Sequence, residues 1–207
     1  QVMSFARIIK YKKTELESRL NKNIKYHIAY YQRPSIGFLL GGIFRTDSII
    51  VYQNNDSKNC FEKVADVSNR SYKEKVKQLE KYAIEYSLED SKSTEVLISI
   101  RSSSHNINFN ADNIKGCKNI VKIELIEGNT VPYDNDWIEY SKEIYNVIND
   151  LQTKFKRITI VHAMPEALSI LLGMALENYW NIKMTQYEPK LLDYSYIFSM
   201  NNIEYYD

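Results

Sequence analysis

The chain predicts an α/β fold built around a mainly parallel sheet, and three observations carry that reading. Strand-like and helix-like stretches alternate along most of its 207 residues, the pattern of β-α-β units. One order of features occurs twice: a strand-like run, a proline, an apolar stretch carrying Leu-Leu-Gly, and a second strand-like run. The apolar fraction, 44%, is ample for a buried core at this length.

The first copy reads Ile24 to Tyr30, Arg33-Pro34-Ser35, Leu39-Leu40-Gly41 and Ser48 to Tyr52. The second reads Arg157 to His162, Met164-Pro165-Glu166, Leu171-Leu172-Gly173 and Asn181 to Tyr187. Proline suits the first helical turn because its missing N–H has no partner to lose there. β-α-β units hold small ligands at the helix N-terminus and at the strands' carboxyl ends, so two copies suggest two facing half-sites.

Ahead of the first copy, residues 4–20 read as a lysine-rich helix with Phe5, Ile8, Ile9, Leu16 and Leu20 on one stripe, a linker helix by its composition. After it, Asn54-Asn55-Asp56-Ser57 marks a turn and Phe61 to Val67 a further strand. Residues 71–90 fit two patterns. Val76, Leu79, Tyr82, Ala83 and Tyr86 suit a helix, whereas Tyr82, Ile84, Tyr86 and Leu88 alternate as in a strand; the first half is read as helix. Glu95 to Arg101 is a β-branched strand ending in the polar loop Ser102 to Asn106, residues 110–118 read as loop, and Asn119 to Ile126 as strand. Trp137, Ile144, Ile148, Leu151 and Phe155 define a core-facing helix with Asp134 or Asp136 as its N-cap. A helix from Pro165 through Leu168, Leu172 and Leu176 to Tyr179 follows the strand of the second copy, and Tyr194 to Met200 closes the chain as a strand.

Charge excludes one function class. Twenty-seven lysines and arginines against 26 acids give a net charge of +1, without the basic excess that binds a long polynucleotide. Cys60 and Cys117 lack metal-like spacing and read as reduced thiols, which points to the cytoplasm. No apolar run reaches the ~18–20 residues of a membrane span. The chain starts at Gln1, which suggests a piece of a longer or processed protein whose missing neighbour is catalytic or membrane-bound.

Catalytic signatures are missing: there is no Walker loop, Gly-x-Gly-x-x-Gly, Gly-x-Ser-x-Gly, His-Glu-x-x-His or Cys-x-x-Cys. No catalytic residue, metal or cofactor is therefore assigned. His27 lies within a strand and reads as structural, while His105 and His162 fall at or past strand carboxyl ends, where a ligand contact is the economical role and a general base the alternative. Arg33 can offer its guanidinium fork to a phosphate, and the backbone N–H groups after Pro34 and Pro165 can face an anion. Of the 17 tyrosines, Tyr31 and Tyr187 are the best placed to stack on a nucleobase.

The stretch Ile158 to Gly173, continuing through Met184-Thr185-Gln186-Tyr187-Glu188 to Tyr194-Ser195-Tyr196-Ile197, resembles the end of SAVED domains. That pattern is a strand, a small-x-Pro turn, an apolar helix with Leu-Gly, a strand ending near Tyr-Glu, and a closing aromatic strand. Val96 to Ile107 is similar to the family's strand with its Thr-His-type loop, with serine here where threonine is usual. The resemblance spans roughly residues 24–200. It implies one SAVED-type domain of two fused CARF-like, Rossmann-like halves, divided as 1–22 (helix or linker), 23–118 and 119–207.

SAVED domains are sensors of bacterial CBASS anti-phage signalling. The resemblance implies that a cyclic tri- or tetranucleotide binds between the halves, that the protein then self-associates, and that an effector absent from this chain is switched on. The expected contacts are Tyr31, Arg33 and Ser35 from the first copy and Ser102, Ser103, His105 and Asn106 from the central loop. His162, Met164, Pro165, Glu166 and Tyr187 complete them from the second copy. Two alternatives stay open: a CARF-like ring nuclease using His105 or His162 as base, and a protein-interaction domain without a nucleotide ligand.

Overall fold

A computed structural model describes residues 2–20, 24–68 and 71–203. The N-terminal helix α1, Val2–Leu20, buries only Ala6 and is tied back to the domain by Lys10, whose ammonium donates to the Ile203 carbonyl at 2.6 Å. The first repeat copy forms β1 (Lys25–Ala29), α2 (Pro34–Ile43) and β2 (Ser48–Asn55), with β1 and β2 parallel. Pro34 opens α2, its fixed φ fitting the first turn. Strand β3, Cys60–Val67, pairs antiparallel with β2 and completes a three-stranded sheet.

The segment read as helix after residue 71 is instead one short 3-10 turn, Ser71–Lys73, an irregular stretch, and strand β4, Tyr82–Leu88. Side chains of the later helix hold the irregular stretch extended. The Glu143 carboxylate accepts from the N–H groups of Glu80, Lys81 and Tyr82 at 2.8 to 3.1 Å, and Asn146 accepts from Val76 N–H at 3.3 Å. Backbone donors that a helix would have used internally are satisfied from outside.

Strands β5 (Glu95–Arg101) and β6 (Asn119–Leu125), helix α3 (Trp137–Gln152), strand β7 (Arg157–Ala163), helix α4 (Glu166–Ala175) and strands β8 (Ile182–Glu188) and β9 (Asp193–Ser199) follow. Asp136 caps α3, its carboxylate accepting from Ile138 N–H at 2.9 Å. The second sheet has the order β4-β6-β5-β7-β8-β9, parallel through its four central strands and antiparallel at both edges. Strand β5, buried at every position from Val96 to Ile100, is its centre, which is why its sequence is apolar there at every position but Ser99. Hydrogen bonding groups β4 to β9 in one sheet that crosses residue 118, and the three-stranded sheet takes only residues before 68.

The two repeat copies meet through their helices. A Cβ on Gly41 of α2 would lie 2.1 Å from the Ile170 carbonyl oxygen, and one on Gly173 of α4 would lie 2.3 Å from that of Phe38. Toward the helix starts, a Cβ on Gly37 would lie 2.9 Å from the Glu166 carbonyl. Gly37 thus faces the beginning of α4 and Gly41 its end, so the helices run side by side with their N-termini together. One apolar core, including Phe38, Leu39, Val51, Ile98, Ile144 and Leu171, is continuous across both sheets and the helices between them.

Candidate ligand-binding site

The aligned N-termini of α2 and α4 open into a cavity of about 570 Å³, within the ~300–1,000 Å³ range of small-ligand sites. It lies where five strands end: Tyr31 and Gln32 follow β1, Gln53, Asn54 and Asp56 end β2, and Ser103 to Asn106 follow β5. His162, Ala163 and Met164 end β7, and Gln186 and Tyr187 belong to β8. Ligands of open α/β sheets bind at such carboxyl ends, where neighbouring connections diverge. Pro34 and Pro165 stand at the two helix starts, and Thr130, Val131, Tyr133 and Trp137 supply another wall. That wall is fastened to the first sheet, because Tyr133 donates its hydroxyl hydrogen to the Asn54 carbonyl at 2.7 Å.

Of the side chains expected from sequence, Tyr31, Ser103, His105, Asn106, His162, Met164, Pro165, Glu166 and Tyr187 line this cavity. The structure puts three others elsewhere. Ser102 is fully buried; its hydroxyl pairs with that of Tyr82 at 2.9 Å and its N–H donates to the Ala163 carbonyl at 2.9 Å, tying β5 to β7. Ser35 is also fully buried and donates to Gln186 Oε1 at 2.8 Å. Arg33 turns to Glu188, 2.8 Å away. The two serine hydroxyls are satisfied within the fold, while Arg33, still more than half exposed, gives one guanidinium nitrogen to Glu188.

Glu166 and Gln53 form the central polar pair. Gln53 reaches from β2 to the start of α4, where its Oε1 accepts from Ala167 N–H at 3.0 Å and its Nε2 donates to Glu166 Oε2 at 3.0 Å. The amide therefore occupies a backbone donor that the sequence reading left open to an anion. Gln53, Asn54 and Asp56 were legible by the strand-end rule applied to β2. Gln186 needed the register of β8, and Tyr133 carried no local signal.

His162 lies in the opposite condition. The residue is 9% exposed and lines the cavity, and its ring centre lies 5.2 Å from that of Phe38. Among the described residues neither ring nitrogen has a hydrogen-bond partner. Burial lowers its pKa to about 4, the Thr185 backbone pulling weakly the other way without reaching hydrogen-bond geometry. The imidazole is neutral at pH 7. His105 is exposed, its Nδ1 3.5 Å from the Ser103 hydroxyl.

Aromatic surface is available at the mouth. Tyr31 is 55% exposed, and Tyr187 leans on Tyr194 with ring centres 5.2 Å apart. Burial raises the Tyr133 hydroxyl pKa, and the Asp56, Glu62 and Glu166 carboxylates add to the rise. The local field is negative. Among the described residues no group of three or more His, Cys, Asp or Glu side chains is gathered as metal ligands would be. Among them also, no helix is long and apolar enough to cross a membrane.

The fold has solved counterparts. The Acinetobacter baumannii Cap4 SAVED/CARF-domain receptor with the cyclic trinucleotide 2′3′3′-cAAA superposes at a TM-score of 0.70 and 14% identity, covering 94% of this chain and 42% of the receptor. The same receptor with 3′3′3′-cAAA gives 0.66 at 15% identity, covering 85% and 38%. The Moraxella osloensis Cap4 SAVED/CARF-domain receptor gives 0.60 at 17% identity, covering 86% and 37%. The chain thus spans about two fifths of the length of these receptors. Among curated protein sequences, none matches it significantly. The model of the SMODS-associated and fused to various effectors sensor domain matches residues 4–201, nearly the whole chain, and so the chain belongs to the SAVED family.

Proposed function

We propose that this chain is the sensing part of a cyclic-oligonucleotide receptor and that a cyclic tri- or tetranucleotide occupies the cavity above the paired helix N-termini. The observation that carries the reading is the composite cavity itself. Both repeat copies contribute a strand end and a helix start to one opening, matching a ligand that is itself built of repeating nucleotides. Tyr31 and Tyr187 stack on bases, and Ser103, His105 and Asn106 contact the ring from the loop after β5. The ring is read as bound without being cut: His162, held near pKa 4 by burial, is a weak base at pH 7, and cleavage through His105 is the outcome that would overturn this reading.

A ring that is bulkier than the cavity protrudes from it, and a second copy covers the protruding part. Ligand that binds the assembled form better than the single chain shifts the population toward assembly, and assembly switches on an effector carried by a longer protein. Calorimetric titration with a panel of cyclic di-, tri- and tetranucleotides tests the reading. Saturable binding of one ring size, with the ligand recovered intact and light scattering reporting a larger species, is expected. Absence of binding across the panel rejects a nucleotide ligand, and a cleaved ring rejects the non-enzymatic reading.

A further inference from the structure

A cyclic oligonucleotide carries a negative charge at every phosphate, yet among the described residues no lysine or arginine lines the cavity. Its carboxylates, Asp56 and Glu166, give it the opposite character. Arg33, between two lining residues in sequence, is engaged by Glu188 at 2.8 Å. The Ala167 N–H, at the helix start where an anion would seek donors, is taken by Gln53. A phosphate seated here would meet like charge in a half-buried place where water screens poorly. The chemistry suits neutral hydrogen-bonding edges.

We propose that the cavity reads the bases of the ring and leaves its phosphates outside, with the Glu166 carboxylate accepting a hydrogen bond from an exocyclic amino group. The inference rests on the proposed ligand class and deepens it. Glu166 Oε2 is oriented by Gln53 at 3.0 Å, and no described group donates to Oε1. A carboxylate so held accepts only. Adenine, cytosine and guanine each offer an amino group, whereas uracil presents a carbonyl oxygen in its place, setting lone pair against lone pair. The charge of the phosphates is then met at the mouth or by a covering second copy.

Cyclic tri-adenylate and cyclic tri-uridylate have the same phosphates and sugars, and titrating both into the wild-type chain needs no variant. Binding of the adenine ring at least about tenfold tighter is expected; equal affinity overturns the proposal. Glu166→Gln then assigns the preference to its residue, with the thermal melt as the check on folding. Affinity for the adenine ring should fall about tenfold and most of the preference over uracil should go with it. Unchanged affinity overturns the role of Glu166. Tighter binding overturns the whole proposal, because it means that the removed charge was repelling a phosphate. If neither ring binds the wild type and no other ring of the panel does, the ligand class fails and this inference with it.

Discussion

A neutral histidine with two unpaired ring nitrogens is costly to bury, since each lost hydrogen bond leaves a polar atom without water or partner. His162 carries this cost at the cavity floor, and its pH dependence follows with a definite sign. The folded ring titrates at about 4 and an unfolded one near 6.5. Between those values the unfolded chain binds more protons, so this contribution is fully present above pH 6.5, falls as pH drops and is lost below about 4. At pH 5 the loss is about 2 kcal/mol relative to pH 7.5. His162→Phe, which keeps a ring against Phe38, should remove that share of the pH dependence, and urea melts at pH 7.5 and 5.0 measure it. His162 was singled out from sequence because a strand end is a local feature. What was not legible is that Arg33 and Ser35 find partners in Glu188 and Gln186, more than 150 residues away in the chain.

At the scale of elements, the Leu-Leu-Gly of each copy was read as part of a leucine-rich helix, and α2 and α4 bear that out. The sequence left unexplained why each needs its glycine. Only the assembled pair reveals backbone approaching backbone, with the space for a Cβ at Gly41 and Gly173 already filled. Alanine at either position forces the helices apart and should cost about 2–4 kcal/mol or more. Gly116, with nothing within 4 Å of its would-be Cβ, is the control; alanine there should stay within about 0.5 kcal/mol. Denaturant midpoints of the three variants check both statements. The first half of residues 71–90 does not form the expected α-helix for the converse reason, since Glu143 and Asn146 of α3 capture backbone donors there and no local pattern encodes a partner some seventy residues ahead.

For the whole molecule, the α/β class and the repeat were readable because each β-α-β unit is contiguous in the chain. The sheet order was not, because it depends on where β6 inserts between β4 and β5. The two sheets together gather five strand ends at one opening, so binding of the proposed ligand there would couple to global stability. A ring at a hundredfold excess over its Kd should stabilise the fold by about 2.7 kcal/mol, a melting shift of roughly 5–10 °C for a domain of this size. A thermal melt with and without ligand measures it.

The contact between the two glycine-bearing helices has one more consequence. Both jaws of the opening are mounted on helices whose backbones touch, so the span between Pro34 and Pro165 behaves as a fixed gauge rather than a hinge. For the proposed ring, such a gauge would act as a measure of size. A larger ring cannot be accommodated by spreading the jaws without breaking the contact at Gly41 and Gly173; it must ride higher in the opening and forfeit the deeper contacts. Under the proposed function, discrimination by ring size would be set by the contact between two helices, at a distance from any atom that the ring touches.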